Sequence, residues 1–115
     1  MKEIYLDELT GCYNRRFLLY WVDNEIKRSN RYTTKFALML IDIDNFRDIN
    51  NNSGHLEGDR VLIELTEFLQ KNIREVDSLV RYGGDEFIVL MPNTDTKGVV
   101  ESAQRLLNNL NKAEI

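Results

Sequence analysis

Residues 78–82 and 87–91 are short β-prone runs, and Gly83-Gly84-Asp85 stands between them. That arrangement reads as a β-hairpin, with the glycines and the aspartate supplying positive-φ turn chemistry at its tip. A second constraint lies upstream. Residues 36–41 form an unbroken apolar run that reads as a buried strand and carries Asp42 and Asp44 at its C-terminal end. Carboxylates at the mouth of a buried strand are costly unless they are paired or bind a cation. A Gly-Gly-Asp turn alone usually just reverses the chain, and Asp42 and Asp44 alone would be ordinary strand-end residues. Together they are candidates for one cation site.

The rest of the chain arranges itself around these strands. Phe17, Leu18, Trp21, Val22 and Ile26 follow helical spacing, so residues 14 to about 30 form an amphipathic helix with Asn14 as its N-cap. A Gly/Asn/Ser-rich bend near residues 50–58 opens a second helix, buried through Val61, Leu65, Phe68 and Leu69. Pro92-Asn93-Thr94-Asp95 ends the hairpin, and Val99, Val100, Ala103, Leu106, Leu107 and Leu110 place a last helix. The order α-β-α-β-β-α is an α+β fold, an antiparallel sheet with flanking helices. Strand, helix, hairpin, helix is the opening of a ferredoxin-like βαββαβ unit without its closing strand.

A chain of 115 residues makes one domain, residues 1–115, with a single core. Its net charge of −4 provides no basic footprint for nucleic acid. No apolar run exceeds six residues, which excludes a membrane span and a membrane contact from this segment. The lone Cys12 forms no internal disulfide and suits a reducing compartment, so a cytoplasmic location is expected.

Arg81-Tyr82-Gly83-Gly84-Asp85-Glu86-Phe87 resembles the signature of GGDEF domains, the bacterial diguanylate cyclases that make cyclic di-GMP. Two further segments match in order: Asp7-Glu8-Leu9-Thr10-Gly11-Cys12-Tyr13-Asn14-Arg15-Arg16, and Asp42-Ile43-Asp44-Asn45-Phe46-Arg47-Asp48-Ile49-Asn50 with Gly54-His55 and Gly58-Asp59. The resemblance implies a nucleotidyl-cyclase palm-type sheet, and a domain truncated at its C-terminus, since family members continue past the last helix with further strands. It implies condensation of two GTP into cyclic di-GMP and pyrophosphate. The cofactor would be Mg²⁺, with Mn²⁺ as an alternative, held by Asp42, the Ile43 carbonyl and Asp85. Asp85 or Glu86 would act as base, with Asp85 preferred. Arg47 would stabilise charge where the family usually has lysine, a planar fork in place of a compact ammonium.

By the same resemblance, the triphosphate would meet backbone amides around Asn45 and Phe46. Gly83 and Gly84 would let the main chain approach it closely. Guanine would be read by Asn50 and Asp59, with His55 near the same pocket. Turn chemistry for Asn50 and a first-turn helix acid for Asp59 are the plain alternatives. Arg74-Glu75-Val76-Asp77, with Arg74 nine residues before Gly83, matches the family's Arg-x-x-Asp product-inhibition site. Arg74 and Asp77 can equally be an ion pair near a helix end. The segment 7–16 is assigned to architecture. Activity would require a homodimer, usually under an upstream sensor or receiver domain. The alternative is an impaired fragment that binds cyclic di-GMP or GTP, or serves as a dimerisation module through an open edge strand.

Overall fold

A computed structural model of the chain describes residues 2–44 and 46–113, with the side chains of residues 2, 3, 47, 48 and 53 outside the description. After a short 3-10 turn at Lys2–Tyr5 come α1 (Arg15–Tyr32), β1 (Ala37–Asp42), α2 (Phe46–Lys71), β2 (Ser78–Arg81), β3 (Glu86–Met91) and α3 (Thr96–Lys112). The strands form one antiparallel sheet in the order β1-β3-β2. Helix α1 covers one face, and α2 with α3 covers the other. This is the expected order of elements.

Asn14 caps α1: its side chain accepts a hydrogen bond from the Phe17 amide at 3.1 Å and donates to the Ile4 carbonyl at 2.9 Å. Leu18 is buried, with Phe17, Trp21 and Val22 packed beside it against Val80, Ile88 and Leu90. Ile26, expected on this face, is exposed, and the buried stripe passes instead through Glu25, paired to Arg28 at 2.7 Å. A repeat of 3.6 residues from Leu18 reaches 25 before 26. On the opposite face, Leu62, Leu65, Leu69 and Leu106 pack with Leu79, Phe87, Val89 and Met91. Asp95 caps α3 by accepting from the Gly98 amide at 2.8 Å.

Three expectations are corrected. The run 36–41 is not a strand buried on both faces. Ala37, Met39 and Ile41 pack inward, but Leu38 and Leu40 are exposed, Leu40 at 75%. Among the described residues no strand pairs with the outer edge of β1. The doubly covered strand is β3, whose residues Phe87, Val89 and Leu90 are fully buried, because it lies between its two partners. Second, the bend near 50–58 narrows to one residue. Helix α2 runs through the asparagines and breaks only at Gly54 (φ 84, ψ 168), a backbone that side-chain-bearing residues resist. Third, Gly83 and Gly84 lack positive φ; among the described glycines only Gly11 and Gly54 have it. The tip spans four residues, 82–85, and turns without a left-handed residue. No helix among the described residues is long and apolar enough to cross a membrane.

Candidate functional site

The ladder between β1 and β3 places Ile41 opposite Phe87 and Asp42 opposite Glu86. One residue further, the Ile43 amide donates to the Asp85 carbonyl at 3.1 Å. The acid leaving β1 and the acids of the hairpin tip thus stand on neighbouring strands, which run about 4.8 Å apart. Directly opposed residues share a face of the sheet, and like charges there repel. Asp42 and Glu86 are both exposed, so solvent tempers that repulsion, and a cation would remove it. A depression of about 520 Å³ opens beside them, with Tyr82 on its rim and Leu38, Leu40 and Ile88 among its lining.

The tip is closed by the Tyr82 and Gly83 amides, which both donate to the Glu86 carbonyl at 2.8 and 3.3 Å. Gly83 has no positive φ, and its open side is taken up by the Glu86 side chain. A Cβ there would lie 2.4 Å from Glu86 Oε1, so the carboxylate folds back over the glycine. Around a Cβ on Gly84 there is nothing within 4 Å; this main chain is open to an approaching group.

Among the described residues no cluster of three or more His, Cys, Asp or Glu side chains is assembled for a metal. Mg²⁺ does not require one, since it usually takes one or two carboxylates and completes its octahedron with water and phosphate oxygens. The Asp42 and Asp85 carboxylates and the Ile43 carbonyl are hard oxygen donors on adjoining segments, and they fit that pattern.

Asn50 and Asp59 lie on either side of the Gly54 break and are both partly buried. The break folds the first part of α2 against the second. A Cβ on buried Gly58 would sit 1.8 Å from Asn50 Oδ1 and 3.4 Å from Phe46 Cζ. Asn50 therefore occupies the space beside the residue preceding Asp59. His55 is exposed just beyond the break. Asn45 lies outside the described residues, as does the Arg47 side chain.

Arg74 and Asp77 are at the other end of the sheet. They occupy the turn that follows the end of α2, where they form the ion pair expected near a helix end, and the Asp77 amide donates to the Arg74 carbonyl at 3.0 Å. The guanidinium donates to Asp77 (Nη2 to Oδ1, 2.7 Å), to the Pro92 carbonyl (3.1 Å) and to the Thr94 hydroxyl (2.8 Å). Its bonds to Asp77 hold its pKa above the ordinary value despite some desolvation. The Asp77 side chain is 1% exposed and that of Arg74 is 41% exposed. Only the arginine therefore offers a surface to a ligand, and the aspartate orients it. A cavity of about 590 Å³ opens there, lined also by Lys35 and Arg105. Sequence reading missed both cations, because no local pattern distinguishes them from other surface charges before β1, β3 and α3 are brought together.

The profile described as "Diguanylate cyclase, GGDEF domain" matches residues 4–115. The chain is 34% identical over 113 residues to the diguanylate cyclase DosC of Escherichia coli strain K12, covering 98% of this chain and 25% of DosC. It is 41% identical over 100 residues to the response regulator PleD of Caulobacter vibrioides, covering 87% of this chain and 22% of PleD. Among solved structures, the diguanylate cyclase SiaD of Pseudomonas aeruginosa, in complex with its activator SiaC, superposes with a TM-score of 0.84 at 38% identity, over 88% of this chain and 39% of SiaD. The chain thus spans about a quarter of the length of the curated relatives it matches. With its three ordered motifs, the paired strand ends and the profile match over nearly the whole length, the chain belongs to the GGDEF domain family of diguanylate cyclases.

Proposed function

We propose that this domain binds GTP with Mg²⁺ and contributes one half of a diguanylate cyclase, in which two facing copies condense two GTP into cyclic di-GMP and pyrophosphate. The observation that carries this reading is the Asp42–Glu86 register with the Ile43–Asp85 hydrogen bond. It lets an acid from β1 and an acid from the hairpin tip address one cation. Each 3′-hydroxyl attacks the α-phosphate of the opposite nucleotide, and the protein's share of such a transfer is alignment and charge neutralisation. The divalent cation, when bound, supplies charge compensation at the phosphates and acidity at the hydroxyl. Asp42, the Ile43 carbonyl and Asp85 would hold it; Asp85, or alternatively Glu86, would take the hydroxyl proton. Asn50 and Asp59 would read the guanine edge, with His55 nearby. The main chain at Asn45, Phe46, Gly83 and Gly84 would receive the triphosphate, and Arg47 would offset its developing charge. The parent protein would control pairing through an upstream sensor or receiver domain.

The test is product formation from GTP and Mg²⁺, together with the melting temperature in Mg²⁺ and a non-hydrolysable GTP analogue. Binding raises the melting temperature by mass action. Asp42→Asn should abolish the metal-dependent part of the rise; a rise that persists would place the metal elsewhere.

A second reading is favoured by the cavity beside Arg74. The guanidinium, held by buried Asp77 and flanked by Lys35 and Arg105, suits the phosphates of cyclic di-GMP, since arginine grips phosphate in bidentate fashion. This site would inhibit the cyclase, or serve a domain that binds the dinucleotide without making it. Titration of cyclic di-GMP against Arg74→Ala tests it, and unchanged affinity would remove it.

A further inference from the structure

The segment 7–16 has no role in the chemistry just described, yet it reaches the hairpin tip. Arg15, at the start of α1, donates from Nη2 to the Tyr82 carbonyl at 3.2 Å, and its guanidinium carbon lies 4.4 Å from the centre of the Tyr82 ring. Arg81 donates from Nη2 to the Gly84 carbonyl at 3.0 Å, and its Nη1 meets both Asp7 oxygens at 3.3 and 3.2 Å. Asp7 is itself immobilised: Oδ2 accepts from the Thr10 amide at 2.9 Å and the Thr10 hydroxyl at 2.8 Å. The turn around it is closed by Asp7 N to Cys12 O (2.7 Å) and Gly11 N to Asp7 O (2.9 Å). It is then laced to β2, since Tyr13 N donates to Leu79 O and Arg81 N donates to Tyr13 O, at 3.1 and 2.8 Å. The two carbonyls flanking Gly83 are therefore each held by an arginine, one of them backed by a fixed carboxylate.

A tip with two adjacent glycines and two closing amide bonds is intrinsically soft. Phosphoryl transfer punishes softness, because a misplacement of about 1 Å in a reacting group costs on the order of a hundredfold. We propose that Asp7, Arg15 and Arg81 are positioning residues, which clamp the 82–84 main chain so that Gly83, Gly84 and Asp85 stay aligned with Asp42. The proposal rests on the cyclase reading for its purpose. The clamp itself is a matter of geometry and can be tested apart from turnover.

The experiment compares the wild-type chain with Arg81→Lys and Arg15→Ala by residue-resolved amide exchange and by initial rates with GTP and Mg²⁺. Lysine keeps the charge facing Asp7, but its single ammonium cannot span Asp7 and the Gly84 carbonyl as the fork does. In both variants the Gly83 and Ile43 amides, which bond the Glu86 and Asp85 carbonyls, should exchange about tenfold faster, the loss expected for one charge-assisted hydrogen bond. Val89 and Leu90, in the middle of β3, should be unchanged. The kcat should fall by about the same factor with KM nearly constant, the signature of lost alignment rather than lost binding. Wild-type exchange at Gly83 and Ile43 in both variants overturns the proposal. So does a uniform rise that includes Val89, which would mark a purely structural ion pair. If the wild-type chain makes no product, the cyclase reading fails and the exchange pattern alone decides the clamp.

Discussion

Replacing Gly58 by alanine should separate guanine recognition from the stability of α2. Within this helix only Gly54 departs from helical backbone, so Gly58 tolerates alanine conformationally. The new Cβ would lie 1.8 Å from Asn50 Oδ1 and 3.0 Å from Asn50 Cγ, which forces the amide out of its place. Glycine to alanine in a helix interior gains about 0.8–1 kcal/mol, while driving a side chain from its rotamer costs about 0.5–1.5 kcal/mol. The two nearly cancel, and the melting temperature should move by less than about 4 °C for a domain of this size. Recognition has no such compensation. An amide turned away leaves a guanine donor or acceptor unpaired, at about 1–3 kcal/mol, or roughly a 5- to 150-fold loss of affinity. Calorimetric titration with a GTP analogue and Mg²⁺ measures it, with Asn50→Ala in parallel. Wild-type affinity in Gly58→Ala would refute the reasoning, and wild-type affinity in Asn50→Ala as well would put the base contact elsewhere.

Three further outcomes are expected. Asp77→Asn removes the buried anion that Arg74 grips, and with the arginine partly solvated the loss should be about 2 kcal/mol, lowering the melting temperature by about 8 °C; a fall under about 2 °C would show that the pair is dispensable. Burial raises the Asp7 pKa, but the Thr10 amide and hydroxyl and the Arg81 guanidinium outweigh it and hold the carboxyl below its ordinary 3.8. Its contribution is therefore present above that value and lost as pH falls through the lowered one. Melting curves between about pH 2 and 7 should have a shallower acid limb in Asp7→Asn, and parallel limbs would contradict this. Leu40→Lys places a charge on the exposed edge of β1 and should suppress concentration-dependent self-association without lowering the melting temperature, as light scattering can show.

What was legible in the sequence was local. Asn14 as a cap, the helical spacing from Phe17 to Val22 and the hairpin around Gly83 all depend on residues a few positions apart, and all three stand in the structure. The exposed side of β1 was not legible, because an apolar run reads alike whether one face or both are covered. Nor were the surroundings of Gly83, where the Glu86 carboxylate folds back over a main chain that has no positive φ. The link from Asp7 to Arg81 spans 74 positions. Each residue there has an ordinary local explanation, and only the folded sheet brings them together.

The two borders of the sheet are unequal. Beyond β2, Tyr13 bridges to Val80 and occupies part of that side; beyond β1, among the described residues, no strand follows. Among the described residues, adding a strand to this sheet is therefore open at β1. Two copies pairing there about a twofold axis, their β1 strands antiparallel, would cover each other's open edge and stop at a pair, whereas a sheet with two open edges would permit an endless ribbon.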